Sequence, residues 1–533
     1  MRVLVFAVAV IALVLLKGHY VLGHREDLLT KALLAMPFLL VIGFESILVL
    51  RRGRVRKLPP NRLVLAYSAF ILVTLVTVAI SYLAGLIATG TATKYLGLIL
   101  TTSLFALVLG GRMGVDQPRS LAKLIIAMIS VFVLLNWILI GMGIENRSIP
   151  ERFNYVGAPI LLSLLGFSAD KVMFPMSNSF INHGTLAGLL LVLTGAELRP
   201  RGLRRTASLI YGVLFLIALL TMLVVDARGA LLCSFLALVA VPFLTRMPAR
   251  VGALLSVTFG LAFPFFLIAI DQMLRGTVTA DMLSRSAGGI FSSRATIWGR
   301  AIEAYLDGPP LNVFFGYGYQ NVPEGFLSQV YVLFQYLSSD LDQLTVHNSI
   351  LQHAFDSGVT GFIVFLMLFY MLFVTTLRLT GIDRRVLFSA VAYVWLIGSV
   401  SASISVRFTE MFFLLGVLVA GLANAFRSMD SRGGWINLRG AGQRTQETNR
   451  QTANPSAREW RRFHRAPESR RTPVLAHRGC GQRPHKTREQ PQECNPQLGQ
   501  PPVGQQKQYL EHAAEGPNAT RDRILSGPVA LSA

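Results

Sequence analysis

Four stretches of this chain carry side chains whose chemistry stands apart from their surroundings. Arg228 lies in VVDARGALL, at a turn between two apolar runs. Arg294 and Arg300 lie in RATIWGR, His347 opens VHNSILQHAFDSGVTG, and Arg407 and Glu410 lie in SVRFTEMFF. A guanidinium is a planar fork of donors that matches phosphate or carboxylate oxygens and stays charged at physiological pH. An imidazole exchanges a proton near neutrality, so a His where a loop enters a helix could serve as general acid or base. Each also has a plainer role. Arg228 can pair with Asp226 and reach an interface with its long stem, Arg407 can pair with Glu410, and a His at a helix start can be a cap. His353 falls off the face of His347 and reads as structural. Asp340 and Asp342, in SSDLDQL, imitate a metal-gripping DxD, but further carboxylates to complete an oxygen shell are missing.

The elements that must position these residues are set by composition. Of 533 residues, 53% are hydrophobic and 15% charged, where a soluble domain carries roughly 25% charged. This excludes an ordinary cytosolic enzyme. A bilayer core needs about 20 consecutive apolar residues per helix, because unpaired backbone groups in hydrocarbon are too costly for anything but helices or closed barrels. Such runs occur near 2–22, 28–50, 62–88, 94–111, 121–143, 179–197, 206–225, 229–245, 251–271, 350–377, 386–406 and 409–426. The expected fold is therefore an all-α polytopic membrane protein of about 12 transmembrane helices. The first run has the length of a signal-peptide core, but Lys17, His19 and Tyr20 make a poor cleavage site, so it reads as an anchor.

Short cytoplasmic loops collect Lys and Arg. The basic connections are Arg51 to Lys57, Gly111 to Arg119, Arg199 to Arg205, Thr245 to Arg250 and Arg378 to Arg385, and all fall on one side if both termini are cytoplasmic. Two opposite connections are long. Ile144 to Asn178 contains Val156 to Phe167, too short to span and read as interfacial or re-entrant. Residues 272–349 form a large extracytoplasmic loop between helices 9 and 10. In that loop Ile297, Ala301, Ala304 and Tyr305 share one side of an amphipathic helix that Pro309 and Pro310 stop. With Trp298, the helix could lie at the headgroup level or cap the bundle. Gly316 and Gly318, in FFGYGY, permit a close backbone approach or simply a turn.

The organisation that follows is a membrane domain over 1–429 and a basic cytoplasmic tail over 430–533, rich in Arg, Gln, Pro and Gly and expected to be disordered. The net charge is +22, of which the membrane domain carries +14. The tail's arginines, with Trp460 and Phe463, could meet anionic lipid or RNA, but a solvated tail is the plainer reading and nucleic acid is not an expected partner. Thirteen residues lie between Cys480 and Cys494, which is not the spacing of a zinc site, so no metal is expected there.

Four motifs spread over residues 180–361 resemble the O-antigen ligase and polymerase superfamily of bacterial envelope glycosyltransferases, and the family-like core extends to about residue 377. The motifs are FINHGTLAGLL, DARGALL, RATIWGR with FFGYGY, and HNSILQHAFDSGVTG, whose His347, Asn348, Gly358 and Gly361 resemble the ligases' His-to-Gly motif. Where the family has an Asn-Pro-Asn-like sequence, this chain has Asn182-His183-Gly184. The resemblance implies a polyprenyl-pyrophosphate-linked glycan as donor, on the outer face of the bacterial inner membrane. The implied acceptor is a lipid A core sugar for a ligase, or a second lipid-linked glycan for a polymerase of O antigen or exopolysaccharide. It implies no metal, nucleotide sugar or other cofactor. By the same resemblance Arg228 and Arg294 hold pyrophosphate, His347 orients or deprotonates the attacking hydroxyl, and Arg300, Gly316, Gly318, Asn348, Gly358 and Gly361 line the substrate. A third reading, a transporter of lipid-linked sugar, fits the helix count but lacks the repeat halves with broken helices that transporters commonly show.

Overall fold

The computed structural model describes residues 61–113, 118–144, 172–177, 180–198, 206–274, 294–319, 346–401 and 410–426, with residues 43, 162, 166 and 404. The chain divides into two units, Met1–Arg450 and Gln451–Ala533, the second wholly outside the described residues. Also outside are the expected first two helices (apart from residue 43), most of Val156 to Phe167, Asp340 and Asp342, Arg407, and the tail from Asp430.

Among the described residues every regular element is helical. In chain order they are α1 (Arg62–Leu83), α2 (Thr89–Met113), α3 (Pro118–Gly141), α4 (Phe180–Leu198), α5 (Thr206–Val224), α6 (Arg228–Leu244), α7 (Ala249–Leu274), α8 (Arg294–Leu306), α9 (Pro310–Phe315), α10 (Ser349–Leu377), α11 (Gly381–Val400) and α12 (Glu410–Phe426). Five stretches are long and apolar enough to cross a membrane: Arg62–Leu83, Thr89–Val108, Pro118–Gly141, Ala249–Ile270 and Ser349–Leu377.

Helix boundaries depart from the apolar runs where local chemistry intervenes. The run expected over 62–88 breaks because Gly85 takes φ +72°, and α2 then starts at Thr89 rather than near residue 94. The run expected over 386–406 becomes α11, beginning at Gly381 with Asp383 in its first turn, where a carboxylate favours a helix N-terminus. The basic segment Arg378 to Arg385 is thus mostly helix. At its other end α11 stops at Val400 because Ser401 turns extended, at φ −150° and ψ 149°.

Helix α11 is the axis of the described bundle and packs against α4, α6, α7 and α10. Its polar side chains make interhelical bonds: Tyr393 Oη donates to Thr185 O on α4 at 2.7 Å, Trp395 Nε1 to Ser256 O on α7 at 3.1 Å, and Arg384 Nη1 to Thr245 O at the end of α6 at 2.8 Å. Gly188 and Gly260 face the Tyr393 and Trp395 rings with no room for a Cβ. Small residues at such crossings let helices approach and let buried polar groups find partners, which is how helices associate where lipid tails remove the hydrophobic drive. The outer faces are apolar too: α5 exposes Leu209, Ile210, Val213, Leu216 and Leu220, and α7 exposes Val251, Leu254, Phe259, Phe265 and Phe266. In water so continuous an apolar surface would drive aggregation; against hydrocarbon it is the expected contact.

Candidate active site

The chemistry-bearing motifs meet at one end of the bundle, around the C-terminus of α11. The turn between α5 and α6 brings Arg228 there as the first residue of α6. Asp226 in that turn adopts φ +53°, and its buried carboxylate lies 3.7 Å from Arg228 Nε, so the Asp226 pairing read from the sequence does form. It engages the guanidinium through Nε. Among the described residues no side chain caps the N-terminus of α6, and the positive end of the helix dipole lies beside Arg228.

Arg294 opens α8 and reaches the same place. Its Nη1 donates to Val400 O, the last residue of α11, at 2.9 Å, and a methyl placed on Gly229 would lie 3.8 Å from that nitrogen. The guanidinium therefore sits against the first turn of α6, next to the residue that carries the other arginine.

The same helix carries the link to His347. One turn beyond Arg294, the fully buried Trp298 donates from Nε1 to Val346 O at 3.1 Å. The face formed by Ile297, Trp298 and Ala301 is buried, so α8 is a cap packed onto the bundle and Trp298 is not a headgroup anchor. Arg300, two residues on from Trp298 and so about 200° around the helix, is exposed and pairs with Glu303 at 2.9 Å. The structure gathers Arg228 and Arg294 but turns Arg300 outward.

His347 itself is half-buried and adopts φ +52°. Among the described residues it and Asp226 are the non-glycine residues with positive φ, and both lie at this junction. Such a conformation costs on the order of 1–3 kcal/mol and persists only where the surroundings over-determine it. Asn348 supplies one constraint: it caps α10, accepting from Ile350 N at 2.9 Å and Leu351 N at 3.1 Å, while its Nδ2 donates to Ser399 O at 2.6 Å. Ser349 adds another, with both N and Oγ donating to Ser401 O. The extended Ser401 that ends α11 is thus what receives the start of α10.

The glycines of the two motifs have a different use. Gly358, at φ +66°, kinks α10, and Gly316, at φ +88°, closes α9; each is pressed against the other segment's backbone, Gly358 on Phe314 and Gly316 on Asp356 and Ser357. Tyr317 N donates to Phe355 O at 2.6 Å across the same contact. Gly318 faces Ser81 on α1, and Gly361 packs on Ser357 within α10. FFGYGY is thereby locked onto the kink of the His-to-Gly segment. Tyr305 Oη donates to Val313 O at 2.6 Å; burial, with Tyr317 nearby, pushes its phenol above the usual value and keeps it a donor. Replacing Gly358 with Ala should destabilise the fold by roughly 2 kcal/mol or more, because a Cβ there meets both an unfavourable φ and the Phe314 carbonyl. Thermal unfolding in detergent checks this.

Of the remaining motif residues, His353 is buried, with Nε2 3.1 Å from Ile404 O and its ring 4.4 Å from that of Phe365, in keeping with a structural role. His183 is buried on α4, its ring 4.1 Å from that of Phe174, and neither nitrogen has a hydrogen-bond partner among the described residues. Its neighbour Gly184 packs on Val225 and Ala227, so the FINHGT segment buttresses the turn that presents Arg228. Three contributors were not singled out in the sequence: Gln352, Asp356 and the Ser399–Ser401 end of α11. Polar residues on an otherwise apolar helix were the available signal for the first two.

The fold and the junction define a multi-pass helical membrane protein whose α6–α8–α10 motifs bring two arginines and a backbone-constrained histidine to one end. Residues 213–366 match the O-antigen ligase family, a span that includes every one of the candidate site residues from Arg228 to Gly361. In this central region the chain is similar to the O-antigen ligase and polymerase superfamily. No curated protein matches the chain.

Proposed function

We propose that the protein is a metal-independent, inverting glycosyltransferase of the bacterial inner membrane. It moves a preassembled glycan from a polyprenyl-pyrophosphate donor to an acceptor hydroxyl on the outer face, as an O-antigen ligase does with lipid A core. The observation that carries the reading is the span of α8: Arg294 at one end lies beside Gly229 and thus Arg228, and Trp298 one turn on holds the peptide before His347. In the reaction the acceptor oxygen attacks the anomeric carbon from the face opposite the pyrophosphate, and the bond from that carbon to the pyrophosphate oxygen breaks. His347 takes the hydroxyl proton. The charge that develops on the departing oxygen meets the Arg228 and Arg294 guanidinium groups and the dipole of α6, which gain strength as that bridging oxygen becomes a charged terminal one. The pyrophosphate leaves on its polyprenol.

Purified protein mixed with polyprenyl-pyrophosphate glycan should extend added lipid A core in a single step on a gel, and should do so in excess chelator. A ladder formed from the donor alone would instead identify a polymerase. Activity that vanishes with chelator and returns with magnesium or manganese would assign the pyrophosphate charge to a metal at Asp340 and Asp342.

The orientation follows from the same reading. Arg384 and Thr245 hold the far ends of α11 and α6, and α6 alone spans 17 residues, about 25 Å at 1.5 Å per residue. The basic segments Thr245 to Arg250 and Arg378 to Arg385 are thus at the opposite ends of these helices from the arginine–histidine junction, as the loop-charge bias requires if the junction is extracytoplasmic. A reporter fused after Ser328 should be active only when it can work outside the cytoplasm; cytoplasmic activity would invert the topology.

A further inference from the structure

The peptide on the N-terminal side of His347 is gripped by two buried side chains. Val346 N donates to Gln352 Oε1 at 3.1 Å, and Val346 O accepts from Trp298 Nε1 at 3.1 Å. Gln352 is in turn oriented by Asp356, to whose Oδ1 its Nε2 donates at 2.8 Å. Asp356 sits one turn further along α10, where its backbone meets Gly316. All three side chains are buried, so these bonds are poorly replaced by water.

The geometry gives this grip a particular consequence. The carbonyl of Val346 belongs to the peptide plane whose rotation is the φ of His347. Fixing that carbonyl with the Trp298 indole, and fixing the preceding N–H with Gln352, holds His347 at φ +52° against its tendency to relax to negative φ. Relaxation would swing the Cα–Cβ bond and carry the imidazole to a different place. On the other side of His347 the backbone is already set by the bonds of Asn348 and Ser349 to Ser399 and Ser401 at the end of α11. The residue is therefore locked from both directions, and the N-terminal lock runs from α8 through Val346 to the Gly358 kink.

We propose that Trp298, Gln352 and Asp356 are positioning residues that hold His347 in its left-handed conformation so that its imidazole faces the acceptor hydroxyl. The proposal rests on His347 being the general base. It assigns the α8 cap a catalytic purpose beyond packing: the helix that carries a phosphate-binding arginine also sets the angle of the base, so the two halves of the reaction are registered by one rigid element.

Trp298→Phe keeps the ring packing and removes the donor; Gln352→Met keeps the chain length and removes the acceptor for Val346. Each should lower turnover ~10- to 100-fold, the scale of a misplaced reacting group, with the KM for polyprenyl-pyrophosphate glycan unchanged. Neither should lower turnover further in a His347→Ala background, because residues that act through one group are not additive with its removal. Full turnover by both folded variants beside an inactive His347→Ala protein would overturn the positioning role and leave the general base standing. An equal further loss in the His347→Ala background would also overturn it, by showing that the bonds act through stability. Normal turnover by His347→Ala would overturn the general base and the positioning role together.

Discussion

Replacing His347 with Ala is expected to lower transfer on the order of 100-fold or more while leaving donor affinity nearly unchanged. The asymmetry follows from what a general base does: proton transfer from the acceptor hydroxyl is made in the transition state, whereas the donor is held by its pyrophosphate. The structural setting sharpens the expectation. His347 is kept at φ +52° by bonds on either side of it, so the Ala variant inherits a backbone already fixed by Trp298, Gln352, Asn348 and Ser349. Steady-state kinetics with donor varied at saturating acceptor separates the outcomes. A fall in turnover at constant KM is the predicted result; a rise in KM at constant turnover would make His347 a binding contact.

The arginines should respond in a different way. Arg228→Lys keeps a positive charge but loses the planar fork, and a loss of about tenfold or more is expected, corresponding to one phosphate contact of roughly 1.5–3 kcal/mol. Arg294→Ala should cost at least as much, because it removes a guanidinium from beside the first turn of α6 and also releases Val400 O. If both groups hold the pyrophosphate in the ground state as well as in the transition state, donor affinity falls along with transfer, in contrast to His347→Ala. Binding of the donor to each variant, measured apart from turnover, checks this; an Arg294→Ala protein with unchanged affinity and unchanged transfer would remove that residue from the site.

The contrast between what the sequence disclosed and what it hid has a physical origin. Long apolar runs are a strong local signal, so α3, α5, α6, α7 and α10 fall within a few residues of where the hydropathy put them. Ends set by tertiary bonds were less legible. Nothing local says that Ser401 turns extended to accept from Ser349. The amphipathic pattern of α8 was visible, but its choice between membrane surface and bundle cap depended on Val346, a partner 48 residues away for Trp298. The arginines and His347 stood out because charge and imidazole are conspicuous beside apolar helices. Gln352 and Asp356 carry the same kind of signal, yet their role appears only when the kinked α10 brings them against the turn before His347. Arg119 and Glu197, 3.9 Å apart with the carboxylate buried, are a further pair that spacing alone does not join.

The most direct test of the account follows one turnover in proteoliposomes with labelled polyprenyl-pyrophosphate glycan and lipid A core. The account predicts that free polyprenyl pyrophosphate appears in equal amount with a glycan joined to the core in the inverted anomeric configuration, and that His347→Ala abolishes both on that timescale while the donor stays bound. A product with retained configuration, or full release and transfer by the His347→Ala protein, would contradict it.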